Sequence, residues 1–139
     1  MDRYRSRKQV LIVDDAAMTR GILRLMLEIE GFEVVAEAAD AAEAIDTVRR
    51  HTPDIVFLDI NLPDASGLAV LEELRREFPE VAVIMITVDD TADHMREAIR
   101  KGALGYVLKP LSEDRAITTI RNILHSRFGP SAYADGRPL

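Results

Sequence analysis

Four short apolar runs each end in a residue able to handle charge. Val10 to Val13 is followed by Asp14 and Asp15, Ile55 to Leu58 by Asp59, Val81 to Ile86 by Thr87, and Leu104 to Leu108 by Lys109 and Pro110. Taken singly, each has an ordinary reading: an Asp after a strand caps or turns the chain, a Thr caps, and a Lys sits in water. Taken together they describe a site. Carboxylates held within a few ångströms repel one another and raise each other's pKa at a cost in stability. Such a cluster calls for a cation, and oxygen ligands without His or Cys select a hard ion, Mg2+ or Mn2+. A divalent cation, an ammonium and a hydroxyl are what a transferring phosphoryl group needs, because they offset charge on its equatorial oxygens. A carboxylate can itself accept that group as an aspartyl-phosphate. Asp59 follows the middle run and is central. Asp14 and Asp15 are better placed as metal ligands. The segment Asn61 to Gly67 is turn-forming, and its backbone offers a carbonyl to the ion.

These residues converge only if the runs are neighbouring parallel strands. The runs are short, rich in Val and Ile and apolar on both faces, as buried parallel strands read. A fifth, Val34 to Ala36, lies between Glu33 and Glu37 and fits a sheet edge. Helical stripes alternate with the runs: Met18, Ile22, Leu25, Met26 and Ile29; Ala41, Ala44, Ile45 and Val48; Leu68, Leu71, Leu74 and Phe78; Met95, Ala98 and Ile99; Ile117, Ile120 and Leu124. Gly31 and Gly102 read as helix stops, and Asp40 and Ser112 as N-caps. Asp90 and Asp93 read as the start of the fourth helix, whose thin stripe predicts the loosest docking. The pattern predicts an α/β fold, (βα)5, with a doubly wound five-stranded parallel sheet between two layers of helices. Right-handed crossovers leave few topologies, and the order 2-1-3-4-5 is favoured. Residues 1–8 read as a basic N-terminal extension, 9–127 as the domain, and 128–139 as a flexible tail punctuated by Gly and Pro.

Composition narrows the function. The chain has 139 residues, room for one ordinary domain. Cysteine is absent, which excludes disulfides, thiolate metal sites and a catalytic thiol. The formal net charge is −6, from 24 acids against 18 bases, which argues against nonspecific binding to nucleic acid or an anionic membrane. The apolar run behind the charged N-terminus is too short for a secretory signal, so a cytoplasmic location is expected.

Val13-Asp14-Asp15, Leu58-Asp59, Pro63, Gly67, Ile86-Thr87, Tyr106 and Lys109-Pro110, in that order and strand context, resemble the receiver domain of bacterial two-component response regulators, over about Gln9 to Arg127. The order 2-1-3-4-5 is also that of the flavodoxin-like chemotaxis regulator of this family, a stock example of the topology. The resemblance implies that Asp59 is the phosphoacceptor, and that Asp14 and Asp15 hold Mg2+ (or Mn2+) with Asp59 and the main-chain carbonyl of Asn61. It implies that Thr87 swings toward the phosphoryl group, that Lys109 is its ion-pair partner, and that Tyr106 turns inward as Thr87 moves. It implies a cis peptide at Lys109-Pro110 and an output face formed by the fourth helix, fifth strand and fifth helix, about Thr91 to Arg127. The expected partners are a histidine kinase or histidine phosphotransfer protein upstream and a downstream protein on that face. Direct engagement of nucleic acid or membrane is not expected, and the expected state is a monomer or a weak phosphorylation-dependent dimer. The chain is then a switch rather than an enzyme, catalysing only its own phosphorylation and dephosphorylation.

Two departures from the family pattern are expected to tune access. Val88 stands where the family usually has a small residue, and its bulk is expected to slow phosphoryl uptake and hydrolysis. Asn61 and Asp89 occupy positions that vary in the family, and Asp89 should disfavour an approaching anion. Other readings fit less well. A haloacid-dehalogenase-type phosphatase wants Asp-x-Asp after the first strand, whereas here Asp14 and Asp15 are adjacent. A flavodoxin needs a phosphate loop where Asp14-Asp15 would repel phosphate. A phosphate-independent scaffold, or the N-terminal part of a larger regulator, remains as an alternative; a stand-alone receiver is expected. His51, His94 and His125 read as surface histidines.

Overall fold

The computed structural model describes residues 7–129. The expected basic extension and tail fall largely outside them. Ten elements alternate: β1 (Gln9–Val13), α1 (Ala17–Ile29), β2 (Glu33–Ala38), α2 (Ala41–His51), β3 (Ile55–Leu58), α3 (Gly67–Glu77), β4 (Ala82–Thr87), α4 (Ala92–Arg100), β5 (Gly105–Leu108) and α5 (Asp114–Phe128). The strands form one parallel sheet in the order β2-β1-β3-β4-β5. This is the flavodoxin-like order expected, with β2 at an edge.

Side chains alternate across each strand, so each inner strand fills two cores. Leu11, Val13, Val56, Leu58, Val83 and Met85 pack under α2, α3 and α4. Val10, Ile12, Ile55, Phe57, Ile84 and Ile86 pack under α1 and α5. Asp40 caps α2, its carboxylate accepting from the Glu43 amide at 2.8 Å. Gly31 and Gly102 carry positive φ (93° and 104°) just after α1 and α4, the left-handed stop that a Cβ disfavours. Of α4, Ala98 is the fully buried residue.

Four local expectations need correction. In α1 the core face is Leu23 and Leu27, while Met18, Ile22, Leu25 and Ile29 point outward, Met18 with 78% and Leu25 with 63% of its surface exposed. Phe32, from the turn after α1, joins Leu23 and Leu27 in the core and completes the cover over β1 and β3. Ile99 of α4 is likewise exposed, because Ala98 takes the inward position. In α5 the residue that turns inward is Ala116 rather than its neighbour Ile117. Ser112 is not the cap of α5, which starts after Glu113 without a side-chain cap.

Candidate functional site

The sheet ladder runs one residue beyond the strands and so fixes the backbones of the polar residues. The Asp14 amide donates to Ala38 O (3.0 Å), Asp59 to Val13 O (3.1 Å) and Lys109 to Thr87 O (2.9 Å). Asp14, Asp59 and Thr87 are buried, with 2%, 4% and 0% of their surface exposed, while Asp15 is exposed. Buried polar side chains need partners, and these have them. Asp14 Oδ1 accepts from the Ala16 amide (2.9 Å), and Asp59 Oδ1 from the Asn61 amide (3.1 Å). Lys109 Nζ bridges Asp14 Oδ2 at 2.7 Å and Asp59 Oδ2 at 3.0 Å. The peptide between Lys109 and Pro110 is cis.

Asp14, Asp15 and Asp59 each bring a carboxylate oxygen into one group, all within 4.8 Å of one another. Burial pushes the Asp14 carboxyl above its ordinary range, and Lys109 and the Ala16 amide only partly oppose it. Burial disfavours the Lys109 cation, but hydrogen bonds to Asp14 and Asp59 hold its pKa above the usual value. Three carboxylates against one ammonium leave an excess of two negative charges. An all-oxygen set with that excess suits a hard divalent cation, so these residues fit Mg2+.

After β4, the Asp89 amide donates to Thr87 Oγ1 at 3.2 Å, and the Tyr106 hydroxyl donates to Asp89 O at 2.6 Å. Tyr106 is half-buried, and burial, with Asp89, Asp59 and Asp90 nearby, pushes its phenol up to about 12. It therefore donates rather than ionises. Val88, in the β4–α4 loop, is 64% exposed.

Two supports of the site leave no mark in the sequence pattern. Arg20 donates from Nη1 to Asp14 O (2.7 Å) and from Nε to Glu37 (2.8 Å), tying α1 and β2 to the acid cluster. Its partners lie on the β1–α1 loop and on β2, so no helical spacing announces them. Asp64, in the loop after β3, accepts from the amides of Ala41 (2.8 Å) and Ala42 (3.0 Å) at the start of α2. An aspartate at a helix N-terminus is favourable, and here it anchors the loop that follows Asp59. The Ala41 and Ala42 amides hold the Asp64 carboxyl below its usual range.

Over residues 10–121 the chain matches the response regulator receiver domain. It is 35% identical over 117 residues to the chemotaxis protein CheY of Bacillus subtilis (strain 168), covering 84% of this chain and 98% of that protein. It is 41% identical over 114 residues to the nitrate/nitrite response regulator protein NarP of Escherichia coli (strain K12), covering 81% of this chain but 53% of that protein. The chain thus spans nearly all of the chemotaxis relative and about half of the nitrate/nitrite relative. A crystal structure of a CheX–CheY–BeF3–Mg2+ complex from Borrelia burgdorferi superposes with a TM-score of 0.80 at 31% identity, covering 87% of this chain and 89% of that one.

Proposed function

The chain belongs to the response regulator receiver family of two-component systems, and on that premise we propose that Asp59 is its phosphoacceptor and that Thr87, Tyr106 and Lys109 read the modification. The family is a phosphoacceptor switch whose members meet histidine kinases and downstream targets, and receiver domains bind Mg2+ at their acidic site. The observation that carries the assignment is the buried Asp59 carboxylate, held by Lys109 and the Asn61 amide beside two further acids.

Asp14, Asp15 and Asp59 would hold the ion, with the Asn61 carbonyl as a further ligand. The bound ion supplies positive charge to the phosphoryl oxygens. In the transfer itself an Asp59 carboxylate oxygen forms the bond to phosphorus while the bond from phosphorus to the donor's imidazole nitrogen breaks. Lys109 then exchanges its contact with the Asp59 carboxylate for one with a phosphoryl oxygen. The Thr87 hydroxyl turns from the Asp89 amide to another, which frees the β4–α4 loop. The group adds about −1.5 to −2 charges, and a tenfold bias toward the active form needs only about 1.4 kcal/mol of differential stabilisation. One charge-assisted hydrogen bond supplies that. Self-catalysed hydrolysis at the same residues would reset the switch.

The upstream partner in this reading is a histidine kinase or phosphotransfer protein. The apolar outer face of α1 starts three residues beyond Asp15 and offers such a donor a surface. The downstream partner uses the α4–β5–α5 face, where Ile99 and Leu108 are exposed. Among the described residues no helix is long and apolar enough to cross a membrane. We place the chain in the cytoplasm, acting as a monomer or a weak phosphorylation-dependent dimer. Residues 9–127 are assigned to the receiver and the flanks to extensions of it.

The test is direct. Incubation with acetyl phosphate and Mg2+ should add the mass of one phosphoryl group, and omission of Mg2+ should prevent it. Absence of an adduct with small donors and kinases alike would favour a phosphate-independent scaffold. Two further results are expected. Mg2+ at about tenfold above its dissociation constant should stabilise the fold by about 1.4 kcal/mol, seen as a melting temperature a few degrees higher; a curve indifferent to millimolar Mg2+ counts against the site. Val88→Ala should speed both acetyl-phosphate labelling and loss of the label, by about two- to tenfold, and unchanged kinetics would remove Val88 from the list of access-tuning residues.

A further inference from the structure

Asp89 gathers more hydrogen bonds than a residue in a surface loop needs. Besides its amide bond to Thr87 and its carbonyl bond from Tyr106, one carboxylate oxygen accepts from the Thr91 amide at 2.9 Å. The other lies 2.6 Å from Nδ1 of His94, in the first turn of α4. The Asp89 side chain is 13% exposed and that of His94 44%. The Asp89 backbone is fixed at the pocket by its bonds to Thr87 and Tyr106, which keeps its carboxylate within one residue's length of Thr87. His94 therefore joins a titratable ring to the residue that touches both Thr87 and Tyr106.

We propose that His94 is a positioning residue for phosphoryl uptake: as a cation it holds and neutralises the Asp89 carboxylate beside Thr87, and as a neutral ring it leaves that charge uncompensated against an anionic phosphodonor. The inference rests on Asp59 being the phosphoacceptor. Its physical content is Coulombic. A negative charge near the path of a phosphate anion lowers the encounter rate, and a paired one does so far less.

The groups around His94 allow this role. The loop brings Asp89, and α4 brings Asp93 and Glu97. Asp93 is paired with Arg96 and Glu97 with Lys101. On β5 the Tyr106 phenol is neutral, and Lys109 at its end is engaged by Asp14 and Asp59. On α3, Glu72 is held by Lys101. The hydrogen bond to Asp89, then its charge, hold the His94 pKa above 6.5. His94 in turn holds the Asp89 carboxyl below its usual range, with the Thr91 amide second. The pair is therefore complete below pH 6.5 and is lost as pH rises through the raised His94 value; on the acid side it fails only when Asp89 protonates, below 3.8.

The experiment measures labelling of the full chain by acetyl phosphate with Mg2+, read by intact mass from about pH 6 to pH 9. Wild type, His94→Gln and Asp89→Asn are compared at each pH, so that any titration of the shared pocket cancels in the ratios. Gln keeps a hydrogen-bond donor and loses the charge. Wild type should outpace His94→Gln by about three- to tenfold at the acid end, and the two should converge at the alkaline end. Asp89→Asn should match wild type in acid and exceed it by a similar factor in alkali. Nuclear magnetic resonance should show the His94 imidazole titrating closer to 6.5 in Asp89→Asn. A purely structural role would shift the ratios by a constant factor at every pH, and that result overturns the proposal, as does a His94 titration unmoved by Asp89→Asn. Wild type that takes no label at any pH overturns the phosphoacceptor reading as well; labelled wild type with flat ratios overturns this inference alone.

Discussion

Asp59→Asn should take no phosphoryl group from acetyl phosphate under conditions where the wild-type chain is labelled. The neutral amide lacks the anionic carboxylate oxygen that attacks phosphorus, and losing that nucleophile costs at least about a thousandfold in rate. The fold should survive. Asn is nearly isosteric with Asp, its side-chain oxygen can still accept from the Asn61 amide, and Lys109 keeps Asp14 as its partner at 2.7 Å. One of three mutually repelling charges also disappears, so the melting temperature of the variant without Mg2+ should equal or exceed that of wild type. Its response to Mg2+ should shrink in parallel, since one of the three clustered carboxylates is gone. Loss of labelling with the fold intact separates chemistry from stability. Retained labelling at the wild-type rate would move the acceptor to another residue, with Asp14 the first to check.

Much of this site is legible in the sequence because a parallel sheet converts a simple rule into geometry. The residue after each strand lands at the same edge, so Asp14, Asp59 and Lys109 meet although up to 95 positions separate them (109 − 14). Strand order follows from the same alternation. What periodicity cannot do is choose between two apolar stripes on one helix. In α1, Met18, Ile22, Leu25 and Ile29 form the longer stripe, yet Leu23 and Leu27 face the sheet. They suffice because Phe32, outside the helix, fills the remaining space, and a residue beyond the helix end leaves no mark on the helical pattern. The Asp89–His94 pair escapes for a related reason. Its members are five positions apart and straddle the boundary between loop and helix, so no helical spacing of three or four announces it. Arg20 and Asp64 have partners on other elements. Contacts set by the strand ladder were readable, and contacts set by side chains reaching between elements were not.

Gly67→Ala is expected to be among the most damaging single-methyl changes in the chain, and the reason is space rather than backbone freedom. Gly67 opens α3, and its φ is not among the positive values, so Ala would suit its backbone. A Cβ there, however, would collide with the carbonyl oxygen of Asp59 and stand 2.7 Å from the Cα of Ile60 and 2.8 Å from the Asp59 carbonyl carbon. All three atoms are backbone and cannot rotate away. The Gly67 amide also donates to Ile60 O at 2.7 Å, which holds the two segments at that distance. Relief requires α3 to withdraw from the end of β3 or Asp59 to move. The first loosens Leu68, Leu71 and Leu74, all buried against the sheet. The second displaces the acceptor carboxylate from Lys109 and from the acids beside it. A cost of about 2–4 kcal/mol is expected, seen as a fall of roughly 10 °C in melting temperature. The protein that remains folded should label with acetyl phosphate at least about tenfold more slowly than wild type. Gly21→Ala is the matching control. It lies in the middle of α1, nothing stands within 4 Å of an added Cβ, and removing a helix-interior glycine should stabilise by about 0.5–1 kcal/mol. If Gly67→Ala melted and labelled like wild type, the close approach of α3 to Asp59 would not be what positions the acceptor.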